Sequence, residues 1–132
     1  MITADELNSL FHNRLPGLVG IEVTEVAPKR LKAALAVRSE LLAPNDFLHG
    51  ATVVALADTA CGCGTLAHMP AGAKGFTTIE LKCNFLGTAR DGVIVCEATL
   101  QHEGRKTHVW DAVVAQNDRT IALFRCTQMI LW

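Results

Sequence analysis

The chain has 132 residues, of which 50% are hydrophobic and 19% charged, and its formal net charge at pH 7 is −1. This length predicts a single domain over residues 1–132, because it is enough for one substantial core but not for two. The lack of a basic excess argues against nucleic-acid binding. The apolar composition predicts that part of the surface is buried between subunits.

The N-terminal segment is predicted to form a helix followed by a β-hairpin. Thr3 is a suitable helix N-cap, and Pro16-Gly17 is expected to end this first helix. Residues 19–27 and residues 30–38 each alternate apolar and polar side chains, and the turn Pro28-Lys29 separates them. Alternation on both sides of a tight turn predicts two paired antiparallel strands.

A long apolar helix is predicted next, after a loop over residues 39–49. It runs from about Ala51 to His68, and Pro70 follows it as a stop signal. Asp58 is the only charged residue in its apolar stretch. The helix is short for a membrane span and carries this charge, so we expect a core helix enclosed by protein rather than a membrane helix.

Four more segments are predicted as strands, and their spacing is typical of an antiparallel meander. They cover residues 76–86, 92–102, 106–116 and 119–130. The element order is therefore helix, two strands, long apolar helix, four strands. It predicts an α+β hotdog architecture, in which a curled antiparallel sheet wraps around the central helix.

The cysteines are interpreted as buried free thiols. There are five, an odd number, and none forms a C-x-x-C pair: Cys61, Cys63, Cys83, Cys96 and Cys126. The N-terminus has no basic-then-apolar signal pattern, so we expect a cytoplasmic protein. Because no His, Cys or Asp cluster has ligand spacing, no metal and no organic cofactor is expected.

A lone buried carboxylate and a donor-rich helix start together indicate acyl chemistry. An ionised Asp58 in a buried helix would lose several kcal/mol of solvation unless it is paired or used, and the alternative interpretation is a structural carboxylate. His49-Gly50 stands where the helix begins, and helix N-termini offer unpaired N–H groups. Gly50 and Asp58 are about 12 Å apart along the axis. If both act on one carbonyl group, they must therefore come from two chains.

Two segments around this helix resemble a known family. His49-Gly50-Ala51 and Leu56-Ala57-Asp58-Thr59-Ala60 resemble the H-G-G…L-A-D-T-A signature of hotdog-fold acyl-CoA thioesterases of the phenylacetic-acid-degradation (PaaI-like) family. Asn84 to Leu86 fits a strand motif of those enzymes, and the similarity covers most of residues 45–126. The chain departs from the pattern at Ala51, where the second Gly would stand, and at Gly87-Thr88, where Arg-Pro is usual.

The resemblance implies an acyl-CoA thioesterase that works as a dimer or tetramer without a cofactor. Asp58 would be the general base or nucleophile, and the Gly50 N–H would polarise the thioester carbonyl. Asn45 would help to place water or substrate, and His49 would orient the loop or contact the thioester. Thr78 falls where relatives place a hydroxyl near the carboxylate.

Basic and aromatic residues are candidates for substrate binding. Arg90, Arg105 and Lys106 lie in predicted turns, where they are either solvated or hold the phosphates of CoA. Phe47 and Phe76 flank the proposed site and line either the core or an acyl pocket.

Two other functions stay open at this stage. One is a hotdog hydratase or dehydratase, which usually needs an Asp–His pair near the helix start. The other is a non-catalytic acyl-CoA sensor, although the acidic N-terminus leaves no room for a basic DNA-binding segment. We assign no chemistry to His68, expected at the helix C-terminus, or to His102 and His108, expected at strand ends and the surface.

Overall fold

Six antiparallel strands curl around one long helix in the computed structural model, which describes all of residues 1–132. Besides a 3-10 helix at Ser39–Leu41, the elements are α1 Ala4–Ser9, α2 Leu15–Val19, β1 Ile21–Ala27, β2 Arg30–Ala36, α3 Gly50–Ala67, β3 Gly75–Phe85, β4 Val93–Glu103, β5 Thr107–Gln116 and β6 Arg119–Leu131. The strand order across the sheet is β1-β2-β4-β5-β6-β3. The predicted α+β hotdog class is confirmed.

The prediction of one N-terminal helix ending at Pro16-Gly17 is wrong. The segment forms two short helices, and Pro16-Gly17 lies inside the second. Proline is tolerated in the first turn of a helix because the N–H it lacks would have no partner there. Gly20, with a φ of 86°, ends α2 instead, and for this reason β1 begins only at Ile21.

The N-terminal hairpin is confirmed. Strands β1 and β2 pair antiparallel, with Val26 opposite Leu31. Lys29 in the connecting turn has a φ of 59°, a conformation typical of tight turns.

The predicted meander is correct for three strands and wrong for the fourth. Strands β4, β5 and β6 are consecutive neighbours, but β3 pairs with β6 at the far edge of the sheet and does not touch β4. The segment after β3 is a crossover rather than a hairpin turn, and the N–H groups of Leu86 and Gly87 both donate to the Ile121 carbonyl. Strand β4 pairs with β2 instead of β3.

Helix α3 packs against all six strands. It has the length and apolarity of a membrane-spanning segment, yet half of it is buried inside the chain. One face, which includes Leu56, Ala60 and Gly64, lies against the sheet. Gly64 is required here because a Cβ at this position would lie 2.5 Å from the Trp110 ring. The helix is therefore a core helix, but only one of its faces is enclosed by its own chain.

Candidate active site

The start of α3 carries one unused hydrogen-bond donor. His49 is the N-cap, and its Nδ1 accepts a hydrogen bond from the Ala51 N–H at 2.9 Å. The N–H groups of Thr52 and Val53 both donate to the His49 carbonyl. The Gly50 N–H makes no hydrogen bond within the chain. An unpaired N–H at the positive end of a helix is suited to stabilise an oxyanion.

A cavity of about 480 Å³ opens at this helix start, and Gly50, Asn45, Phe47 and Phe85 contribute to its lining. The lining is largely apolar. A Cβ at Gly50 would lie 3.1 Å from the Phe85 ring, so glycine lets the aromatic ring approach the backbone donor closely. Asn45 is exposed, and its Oδ1 accepts the Phe47 N–H at 3.2 Å.

The Asp58 carboxylate is half-buried on α3 and forms no salt bridge. Its one hydrogen-bonding partner is the Thr78 hydroxyl, at 3.1 Å. Burial raises the pKa of Asp58 above its ordinary value, and the contact with Thr78 opposes part of that rise. This carboxylate has no cation to neutralise it, which is typical of a general base rather than of a structural ion pair.

Thr78 has a second hydrogen-bonding partner, the glutamine Gln128. Gln128 is fully buried, and its Oε1 lies 2.9 Å from the Thr78 hydroxyl oxygen. Its neighbours on the inward face of β6, Cys126 and Ile130, are both hydrophobic, so Gln128 is a single polar side chain among apolar ones. Sequence analysis missed Gln128, although a lone amide in the inward register of a strand was the available signal.

His108 also differs from expectation. We expected it at the surface, but it is fully buried opposite Gln128 in the β5–β6 register, and neither ring nitrogen has a hydrogen-bond partner. Burial lowers the pKa of His108, so its neutral form is favoured. His68 caps the C-terminus of α3 as expected.

Strand β3 runs antiparallel to α3, and residues along β3 contact the helix near both Gly50 and Asp58. Phe85 lies beside Gly50, Thr78 lies beside Asp58, and Phe76 contacts Gly62. Since Gly50 and Asp58 are eight residues apart in one continuous helix, they are about 12 Å apart along its axis. A single chain therefore does not bring the free N–H and the carboxylate together at one carbonyl group.

A family model described as the thioesterase superfamily matches residues 45–122. The chain belongs to the thioesterase superfamily. The matched segment contains both the helix start and Asp58.

Relatives of this thioesterase include enzymes with named substrates. A 1,4-dihydroxy-2-naphthoyl-CoA hydrolase of Listeria monocytogenes is 26% identical over 110 residues, which cover 83% of this chain and 89% of that protein. The acyl-coenzyme A thioesterase PaaI of Escherichia coli is 28% identical over 109 residues, which cover 81% of this chain and 75% of that protein. As a member of the thioesterase superfamily with a hotdog fold, this chain is a thioester hydrolase that is similar to PaaI.

The fold of this thioesterase is also close to that of a solved structure. A variant of thioesterase PA1618 from Pseudomonas aeruginosa superposes with a TM-score of 0.94 at 26% sequence identity, covering 99% of this chain and 95% of that one.

The candidate phosphate-binding cations of the thioesterase lie at opposite ends of α3. Arg90 stacks over the Phe47 ring, 4.9 Å from its centroid, near the N-terminus of the helix. Arg105 stacks over Trp132 at 4.1 Å and lines a cavity near the helix C-terminus, next to Lys106 in the chain. One chain does not bring these cations together, and their role in binding CoA stays a prediction.

The face of α3 away from the sheet core is only partly covered. It is apolar except for two polar residues, and its members are Ala51, Val54, Ala55, Asp58, Thr59, Gly62 and Leu66. Strand β3 beside it is a sheet edge with exposed apolar side chains, among them Ile79 (52% exposed) and Phe85 (53% exposed). An apolar helix face next to an unpaired strand edge is typical of a surface that associates with another chain.

The cysteines of the thioesterase are all free, as expected, and four of the five are buried. Burial raises the pKa of Cys63 to about 12 and that of Cys96 to about 12. Such thiols are protonated at neutral pH and are poor nucleophiles. Asp58 is therefore the better candidate for attack or for base catalysis.

Proposed function

We propose that this thioesterase hydrolyses acyl-CoA at a site that Asp58 of one protomer and Gly50 of its partner form together. The observation that carries the proposal is the pairing of two unused groups. One is a half-buried carboxylate without a cation, and the other is a helix N–H without an acceptor. Ester hydrolysis needs both kinds of group, a base or nucleophile and an oxyanion donor.

The reaction can follow either of two routes through these groups. In the first, Asp58 removes a proton from water while the water oxygen attacks the thioester carbonyl carbon. In the second, a carboxylate oxygen of Asp58 attacks that carbon and forms an anhydride, which water then hydrolyses. In both routes the Gly50 N–H stabilises the negative charge on the former carbonyl oxygen, and the CoA thiolate leaves. Neither route needs a cofactor beyond the CoA of the substrate.

A twofold dimer supplies the geometry that one chain lacks. Two α3 helices lying antiparallel along their open faces, with the axis near Val54, bring Gly50 of one protomer level with Asp58 of its partner. The apolar edge of β3 supports this association, because edge strands with exposed apolar side chains pair readily with another strand. We propose that the dimer is the smallest active unit and that dimers can associate further into tetramers.

The acyl group is proposed to be aromatic or of medium length. Phe47 and Phe85 line the cavity at Gly50, and Phe76 lies farther along the same line of β3. Rings at this position suit a flat apolar acyl group. The Listeria relative is named for an aromatic acyl-CoA, which agrees with this proposal.

The hydrogen-bonding partner of Asp58 favours thioester hydrolysis over hydratase activity. Asp58 has Thr78 as its hydrogen-bonding partner, and no histidine of the same chain hydrogen-bonds to it. Within one protomer, Asp58 forms no Asp–His pair of the kind that hydratase chemistry usually requires.

A thiol-release assay over a panel of acyl-CoA esters tests the function. The panel includes phenylacetyl-CoA, hydroxybenzoyl-CoA and medium-chain acyl-CoA, with an enoyl-CoA as the probe for hydratase activity. We expect free CoA to appear with at least one ester of the first three classes. Hydration of the enoyl-CoA without thiol release would contradict the proposal, and so would tight CoA-ester binding without any turnover.

A further inference from the structure

The Thr78 hydroxyl contacts two oxygen atoms that can both accept its proton. Its Oγ1 lies 3.1 Å from Asp58 Oδ1 and 2.9 Å from Gln128 Oε1. A threonine hydroxyl carries a single proton, so it can donate to only one of them at a time. The direction of this one proton depends on whether Asp58 is ionised.

Gln128 is buried beside Thr78 and Cys126. The residue is fully buried, and its Nε2 lies 3.4 Å from Cys126 Sγ, a weak acceptor. In this orientation of the amide, the Oε1 atom faces Thr78. A buried carbonyl oxygen without a hydrogen-bond donor is unfavourable. The hydrogen bond from Thr78 to Gln128 Oε1 is therefore favoured.

Few titratable groups surround this contact. Burial and the neighbouring Cys126 raise the pKa of the Cys61 thiol on α3, and the nearby Asp58 carboxylate adds to this rise. Cys126 is on β6 and the neutral His108 is on β5, while Glu80 and Lys82 of β3 pair with Thr127 and Arg125, which point away from the core. Besides burial, which has the largest effect on the protonation of Asp58, the hydrogen bonds of Thr78 are the main influence on it within the chain.

The two protonation states of Asp58 satisfy these groups differently. When Asp58 is protonated, it donates to Thr78 Oγ1, Thr78 donates to Gln128 Oε1, and each buried oxygen has its partner. When Asp58 is ionised, Thr78 can stabilise the carboxylate only by leaving Gln128 Oε1 without a donor. The arrangement favours the protonated acid.

We propose that Gln128 is a positioning residue that draws the Thr78 proton away from ionised Asp58 and so strengthens this carboxylate as a base. A general base works best when its pKa is near the working pH. Burial already moves the pKa of Asp58 in this direction, and Gln128 reduces the opposing effect of Thr78. The catalytic consequence rests on the function proposed above, whereas the hydrogen-bond arrangement does not.

The test is a direct titration of Asp58 in the ligand-free protein, followed by the ¹³C resonance of its carboxyl carbon. Gln128→Met keeps a similar side-chain volume but removes the amide oxygen. The released Thr78 hydroxyl then donates to Asp58, and we expect the pKa of Asp58 to fall by about one unit. An unchanged or higher pKa of Asp58 would overturn the proposal.

A Thr78→Val background is the matched control, because it removes the link between the two residues. Adding Gln128→Met to Thr78→Val should leave the pKa of Asp58 unchanged. A fall of equal size in this background would show that Gln128 acts through packing or polarity and not through Thr78, which would contradict the proposal.

The wild-type protein provides a second measurement that does not depend on the folding of any variant. The side-chain carbonyl carbon of Gln128 should shift with the same midpoint as Asp58, since ionised Asp58 competes with Gln128 for the Thr78 proton and protonated Asp58 leaves that proton to Gln128. A Gln128 resonance that does not follow Asp58 would contradict the proposal. Both titrations are made without substrate, so a failure of the thioesterase proposal leaves them interpretable. If turnover is present, the acid limb of the pH–rate profile should move with the titration.

Discussion

Thr78 on β3 and Asp58 on α3 form the one side-chain hydrogen bond of the candidate base, with 3.1 Å between the hydroxyl oxygen and Oδ1. The contact joins the edge strand of the sheet to the half-open face of the central helix. The contact therefore holds the Asp58 carboxylate on the partly covered, apolar face of α3. Partial burial there raises the pKa of Asp58.

Replacing Asp58 by Asn should abolish most of the hydrolysis. The amide has nearly the same shape but neither accepts a proton from water nor attacks a thioester efficiently, so we expect a loss of about 10²–10⁴-fold in kcat. The measurement is thiol release at saturating substrate, with Asp118→Asn in the exposed turn between β5 and β6 as the control. Activity of Asp58→Asn within about threefold of the wild type would exclude Asp58 from the chemistry.

The same variant should change how stability depends on pH. Because the pKa of Asp58 is raised in the folded protein, the unfolded chain ionises first as the pH rises, and the wild type loses stability between the unfolded and folded pKa values. Asn cannot ionise. The free energy of unfolding of Asp58→Asn should therefore equal that of the wild type at pH values below the unfolded pKa. It should exceed that of the wild type at pH values above the folded pKa.

Urea unfolding from about pH 3 to about pH 8, at fixed protein concentration, measures this difference. An advantage of Asp58→Asn that is independent of pH would show that Asp58 is not destabilised by burial.

The close contact between Gly64 and Trp110 should make Gly64→Ala destabilising. The new Cβ would lie 2.5 Å from the indole ring, and this ring is held by its Nε1 hydrogen bond to Thr65 at 2.9 Å. Overpacking of this kind typically costs about 1–3 kcal/mol. Gly62→Ala is the matched control, because its Cβ would meet only the Phe76 ring at 3.4 Å, and alanine favours a helix. Equal urea midpoints for the two variants would refute the packing account.

The β3 edge and the open face of α3 should make the protein at least a dimer. Light scattering is expected to give no less than twice the chain mass at micromolar concentration. Ile79→Lys on the β3 edge should promote dissociation because it places a charge in the apolar contact, whereas Leu18→Lys, on the exposed α2, serves as the control. A fully active monomer would contradict the two-chain site.

The sequence was sufficient to predict the elements that have a clear hydrophobic pattern. Helix α3 was placed within one residue of its observed ends, and the last strands were placed with similar accuracy. Their apolar side chains recur in a regular pattern, and turn residues flank them. The first helix was mispredicted because Pro16-Gly17 resembles a stop signal but lies within a helical turn.

The position of β3 could not be read from the sequence, since local patterns do not specify which strands pair across a sheet. Its pairing with β6 is what brings Thr78 next to both Asp58 and Gln128. Asp58 and Gly50 stood out because each is unusual in its own segment, while Gln128 becomes a candidate only when its register is known. The carboxylate was thus predictable, but the network behind it was not.

The most direct test of the central claim, a site formed by two chains, is complementation between damaged subunits. Gly50→Pro removes the N–H donor, and Asp58→Asn removes the carboxylate. Gly50→Ala retains the donor and serves as the control for the added carbon beside Phe85. Circular dichroism and light scattering must show that each variant is folded and associated.

In a mixed dimer of Gly50→Pro and Asp58→Asn, one site carries both lesions and the other carries neither. Each variant alone should be nearly inactive. After subunit exchange, we expect the equimolar mixture to recover about one quarter of the wild-type activity, because half of the dimers are mixed and each has one intact site. If both variants fold and exchange subunits but the mixture stays inactive, Gly50 and Asp58 do not act across the dimer.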